Sequence, residues 1–86
     1  MKSSKINRIC KVLNKYDPML LYETLNDDQI YEKEATVIYK FMENNRDKVI
    51  KEEYLYDRIQ FIFINYYGEL LPVSMCMDMA QEILSC

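Results

Sequence analysis

A single glycine, Gly68, and two prolines, Pro18 and Pro72, are the only strong backbone breakers in this chain of 86 residues. An all-β fold needs many more turn residues, so helices are the expected content. Half of the residues are apolar and 29% are charged, the balance of a globular chain rather than a disordered one. The length suits one helical domain over residues 1–86, with a single core and little stability to spare.

Apolar spacing places the elements. Ser3 or Ser4 can cap a first helix whose stripe is Ile6, Ile9, Leu13 and Tyr16, with Arg8, Lys11 and Lys15 on the opposite side. Asp17-Pro18 ends it, because a residue before proline is pushed out of the α region. The same pair can open a short turn, with Asp17 capping and Pro18 in the first helical position. Asn26-Asp27-Asp28 is the cap cluster of a second helix running from about Asp28 to Glu43. Ile30, Val37, Ile38 and Phe41 form its inward stripe, flanked by Tyr31, Ala35 and Met42. A third helix falls within Asp47–Tyr67, with Leu55, Ile59, Ile62, Phe63 and Tyr66 inward and Gly68 as a left-handed stop. After Leu70-Leu71-Pro72, a last helix turns Val73, Cys76, Ala80, Ile83 and Leu84 to the core. The predicted fold is all-α: a compact antiparallel bundle of about four helices, with one short extra turn after the first.

Charge is unevenly placed. Lys2, Lys5, Arg8, Lys11 and Lys15 put five positives and no acid into residues 1–16, while the remaining residues carry six positives against fourteen acids. The basic helix has Tyr16 as its only aromatic, and that residue falls on the apolar side, so neither a nucleic-acid nor a membrane-surface site is expected. An acidic body favours basic protein partners through electrostatic steering. No apolar run approaches a membrane span, the start lacks a signal-peptide core, and Cys10, Cys76 and Cys86 lack any pairing pattern. These point to a soluble cytoplasmic protein with reduced thiols, Cys10 and Cys76 being small core residues.

The inventory for chemistry is thin. Histidine is absent, which removes the usual general base, the His-activated nucleophile and the commonest metal ligand. Nothing calls for a cofactor or a metal: the cysteines lack zinc spacing, and Asn26-Asp27-Asp28 with Glu32 lacks the mid-loop glycine of a calcium loop. The sharpest anomaly is Glu34, which falls inside the apolar stripe of the second helix. A carboxylate there needs a partner, since unpaired burial is costly. That makes it a buried polar anchor tied to a tyrosine, a helix end or a basic side chain such as Arg58, or else an acid/base group in a binding groove. The second anomaly is the edge of the third helix, where Tyr54, Arg58, Phe61 and Asn65 recur at helical spacing. Tyrosine and arginine are favoured at protein interfaces, whereas a helix apolar on two sides is usually buried. The exposure of Phe61 separates these readings.

Asp17-Pro18, then Tyr31-x-x-Glu34, then Leu55-x-x-x-Ile59 with Phe63, and finally Pro72, Cys76, Ala80 and Leu84 make up an ordered set of landmarks. In these the chain resembles the small helical bacterial family catalogued as domain of unknown function 1871, over about Ile6 to Leu84. The resemblance implies an all-helical bundle, assigns no activity, and singles out Glu34 and Asp17 for testing.

The functional expectation is a non-catalytic protein-binding module, most concretely an immunity or antitoxin-type protein that masks a basic toxin with an acidic surface. The residues expected to meet the partner are Tyr54, Arg58, Phe61, Asp27, Asp28, Glu52 and Glu53. The alternatives are a homodimer built through the uncharged end of the third helix and a small enzyme using Glu34 as acid or base.

Overall fold

The computed structural model describes residues 4–47 and 49–85. Its elements are α1 (Ser4–Tyr16), the short α2 (Leu21–Leu25), α3 (Glu32–Asn44), α4 (Glu52–Tyr67) and α5 (Val73–Leu84), with no strand among the described residues. The protein is thus an all-helical bundle. Four long helices close a ring in which α1 packs on α3, α3 on α4, α4 on α5 and α5 back on α1. The Cα radius of gyration, 12.0 Å, is that of a tightly folded chain of this length. The expected caps at Ser3 and the tail thiol of Cys86 lie outside the described residues.

Side-chain pairs give the helix directions. Glu34, in the first turn of α3, meets Tyr67 at the end of α4, while Phe41 near the end of α3 meets Arg58 further back along α4. Gln81, late in α5, reaches Glu52 at the start of α4. Both pairings are therefore antiparallel. Lys15 and Tyr16, the last residues of α1, both reach Glu82 on α5, with Lys15 Nζ at 2.9 Å from Oε1.

The core is filled by Ile9 and Leu13 of α1, Ala35 and Ile38 of α3, Leu55, Ile59 and Phe63 of α4, and Cys76, Met79, Ala80 and Ile83 of α5, together with Tyr31. Several inward positions differ from the sequence expectation. In α3 the buried face is Glu34, Ala35 and Ile38, continued backward by Tyr31, whereas Ile30, Val37 and Phe41 are only half-covered. Tyr31 turns inward because its hydroxyl finds the Asp17 carboxylate there, an acceptor that local spacing does not reveal. In α4 it is Tyr67 that turns inward and stacks on Phe63 with ring centroids 5.5 Å apart, while Tyr66 is exposed. In α5 Val73 is exposed and Met79 fully buried.

The punctuation follows elementary rules with two displacements, the first being that α2 opens at Leu21, after a left-handed Leu20, rather than with Pro18 in the first helical position. Gly68 adopts φ 68° and its amide bonds the Ile64 carbonyl at 2.8 Å, closing α4 in the left-handed conformation that glycine adopts without strain. Asp17 also takes positive φ, 48°, with its amide on the Leu13 carbonyl at 2.7 Å, so α1 ends on a left-handed residue. The Asn26-Asp27-Asp28 cluster does not cap the following helix. Asp27 Oδ1 accepts the Gln29 amide at 2.9 Å in a local turn, and α3 starts only at Glu32.

Candidate protein-docking site

Among the described residues two carboxylates are buried, and both are matched to tyrosines. Asp17 Oδ1 accepts from the Tyr31 hydroxyl at 2.7 Å and from the Tyr22 amide at 2.9 Å, and Oδ2 accepts from the Glu23 amide at 2.9 Å. Burial alone would push this carboxyl up, but the bonds from Tyr31 and from the Glu23, Tyr22 and Leu21 amides outweigh it and hold the group below its usual range. Asp17 thereby caps α2 from a distance and ties it to Tyr31, whose oxygen also accepts the Met19 amide at 3.1 Å.

Glu34 is only 3% exposed and accepts a hydrogen bond from the Tyr67 hydroxyl. Burial first, and then this bond, raise the Tyr67 phenol above its ordinary value. The partner is thus a tyrosine rather than Arg58. Phe63 lies between the two pairs, 6.1 Å from the Tyr31 ring and 5.5 Å from the Tyr67 ring. Asp17, Tyr31 and Glu34 therefore belong to one buried region around Phe63.

A third internal tie had no counterpart in the sequence reading. Gln60 is buried in α4 and holds Leu71 through both backbone groups, its Nε2 donating to the carbonyl at 2.8 Å and its Oε1 accepting the amide at 2.9 Å. This fastens the link between α4 and α5. The only sequence signal was an amide lying within the charge-free run Ile59–Gly68.

The outer side of α4 is built differently. Phe61 is 56% exposed and Tyr54 52% exposed, so the aromatic edge is surface and not a second core face. Tyr54, Arg58 and Phe61 line one groove of about 490 Å³ with Asp57 from α4 and Phe41 and Asn45 across it. The Arg58 guanidinium lies 4.9 Å from the Phe41 ring centroid and 5.5 Å from that of Phe61. Each such contact contributes about 0.5–2 kcal/mol, depending on how dry it is, and together they hold the long arginine side chain in place.

The other residues expected at the site are spread over the surface. Asp27 and Asp28 are exposed in the α2–α3 link, where Asp28 accepts from the Tyr22 hydroxyl at 3.0 Å and from Asn14 Nδ2, through its carbonyl, at 2.7 Å. Glu52 and Glu53 open α4; Glu52 accepts from Gln81 Nε2 at 3.1 Å and Glu53 is exposed. Tyr54, Arg58 and Phe61 are thus brought together, Glu53 lies beside them on the same helix, and Asp27 and Asp28 belong to a separate region. Arg8, Lys11 and Lys15 are exposed on α1, and Lys11 and Lys15 line a further groove of about 520 Å³ that reaches Tyr22 and Asp28. Glu34 lines neither groove. Among the described residues no helix is long and apolar enough to cross a membrane, and no cluster of Cys, Asp and Glu is arranged to hold a metal ion.

Compared with protein-family models, curated proteins and solved structures, the chain matches none.

Proposed function

We propose that this chain is a non-catalytic protein-binding module whose docking face is the outer side of α4. The observation that carries the reading is the exposed pair Tyr54 and Phe61 flanking an arginine already held between rings. Tyrosine and arginine dominate binding energy at protein interfaces, and a side chain ordered beforehand loses less entropy on docking. The buried pairing of Glu34 with Tyr67 favours a structural part for that carboxylate over an acid/base role.

The concrete form is a bacterial, cytoplasmic immunity or antitoxin-type protein that covers a basic toxin. Asp57 shares the groove and Glu53 is exposed one turn earlier, so the face offers acids beside its aromatics. Asp27, Asp28 and Glu52 add to the attraction at longer range. The test is a pull-down from source-cell lysate at low salt with the parent protein and a Tyr54→Ala/Phe61→Ala variant. The expected result is one stoichiometric basic protein, held by the parent, lost from the variant and released by salt. Retention by both proteins, or no stoichiometric species, would refute the reading.

A second reading is a homodimer through the uncharged end of α4, favoured by the exposure of Ile64 and Tyr66 there. Sedimentation at high concentration decides it: a mass of one chain rules it out.

A further inference from the structure

The guanidinium of Arg58 is half-buried and ordered by two aromatic rings, yet among the described residues it has neither a hydrogen-bond nor an ion-pair partner. Neither ring supplies an oxygen acceptor, so the N–H groups of the guanidinium are left without one. Asp57 lines the same groove and still does not pair with it. A positioned arginine fork with no internal acceptor matches a carboxylate, which can take two parallel N–H bonds.

We propose that the Arg58 groove receives one acidic side chain of a partner protein, an aspartate or glutamate set among apolar residues. The carboxylate closes on the Arg58 fork, and the apolar neighbours cover Phe61 and Tyr54. Asp57 and the exposed Glu53 argue against an acidic run, because every further carboxylate would meet like charge. A single acid with apolar flanks satisfies the fork without that cost. The partner is then basic overall, as the proposed function requires, with one acid at the point of contact. The inference rests on the outer side of α4 being the docking face.

The test uses random peptides displayed on phage, selected on the immobilised parent protein. The leading peptide is then synthesised and its affinity measured against the parent, Arg58→Lys and Phe61→Ala. Circular dichroism melts check that the variants fold. The enriched peptides are expected to share one acid beside a large apolar residue. Replacing that acid by its amide, or Arg58 by lysine, should weaken binding by about tenfold or more, the usual effect of losing a charge-assisted bidentate contact. Phe61→Ala should weaken it as well. Peptides without the acid, or less than about a twofold change for both the amide and Arg58→Lys, would overturn the inference. If Phe61→Ala still abolishes binding in that case, the docking face survives and only the carboxylate is lost. No enrichment, or peptides indifferent to Phe61→Ala, sinks both.

Discussion

Asp17 offers the most demanding check on the physical account, because one side chain serves two elements. Its Oδ1 accepts from Tyr31 and Tyr22 and its Oδ2 accepts from Glu23, while its own backbone sits at φ 48°. Asparagine tolerates that backbone and keeps one acceptor oxygen, but it sets an NH2 group against the Glu23 amide. One lost bond plus a donor facing a donor, without charge assistance, comes to about 2 kcal/mol. Alanine loses all three bonds and adds left-handed strain, so about 3–4 kcal/mol is expected. In a domain of this size each kcal/mol moves Tm by about 4–8 °C, which puts Asp17→Asn roughly 8–16 °C below the parent.

Urea unfolding followed by circular dichroism, repeated at several pH values, reads both parts of the argument. The folded-state pKa of Asp17 is depressed, so its contribution is complete above the ordinary value of 3.8 and is lost as pH falls through the lower folded value. The gap between parent and Asp17→Asn should therefore hold steady from neutral pH down toward 3.8 and narrow below it. An asparagine variant within about 0.5 kcal/mol of the parent at neutral pH would refute the reasoning, since surface changes alone stay inside that margin. So would a gap that does not shrink in acid.

Three further outcomes are expected. Gln60→Leu keeps the volume but strands the buried Leu71 amide and carbonyl, so chemical denaturation should show a loss of about 2–4 kcal/mol. Leu20 holds φ 56° while 59% exposed, so Leu20→Gly should raise stability by about 0.5–1 kcal/mol in the same assay, the left-handed strain outweighing the entropy of glycine. Burial, and secondarily the charge of Asp57, push the Cys76 thiol up to about 12, so an aromatic disulfide reagent at mildly alkaline pH should label Cys76 only at the rate of unfolding.

The parts of this fold legible in the sequence are those set by short-range rules. Gly68 ends α4 as spacing and conformational freedom demand, and the short α2 follows Asp17-Pro18. Glu34 stood out because a carboxylate inside an apolar stripe conflicts with the pattern around it. What spacing left open was rotational phase. The series Ile59, Ile62, Phe63 continues equally well to Tyr66 or Tyr67, and only the Glu34 carboxylate across the bundle selects Tyr67. Tyr31 turns inward for the same kind of reason, its acceptor being Asp17, fourteen residues away. α3 starts at Glu32, later than the Asn26-Asp27-Asp28 cluster suggests, because the Asp27 side chain accepts the Gln29 amide in a local turn. Of the candidate site, Tyr54, Arg58 and Phe61 are visible in the sequence as a helical edge, whereas Phe41 falls in the apolar stripe of α3, and spacing within one helix does not show that its ring meets Arg58 of another.

That last difference ties the interior to the surface. Arg58 is ordered only if Phe41 of α3 and Phe61 of α4 stand at a fixed separation, so the relative placement of the two helices is part of the groove. The contact that fixes this placement most specifically is the bond from Tyr67 to Glu34, at the other end of the same helix pair. An apolar contact there would tolerate sliding or rotation, because dispersion and hydrophobic burial are nearly indifferent to direction. A buried hydrogen bond is not indifferent, since a small displacement leaves both groups desolvated and unpaired. The Lys33 ammonium over the exposed Tyr66 ring adds a second contact between the same two helix ends. On this account the buried Glu34 carboxylate orients α3 against α4, and the arginine beside the two rings is the surface expression of that orientation.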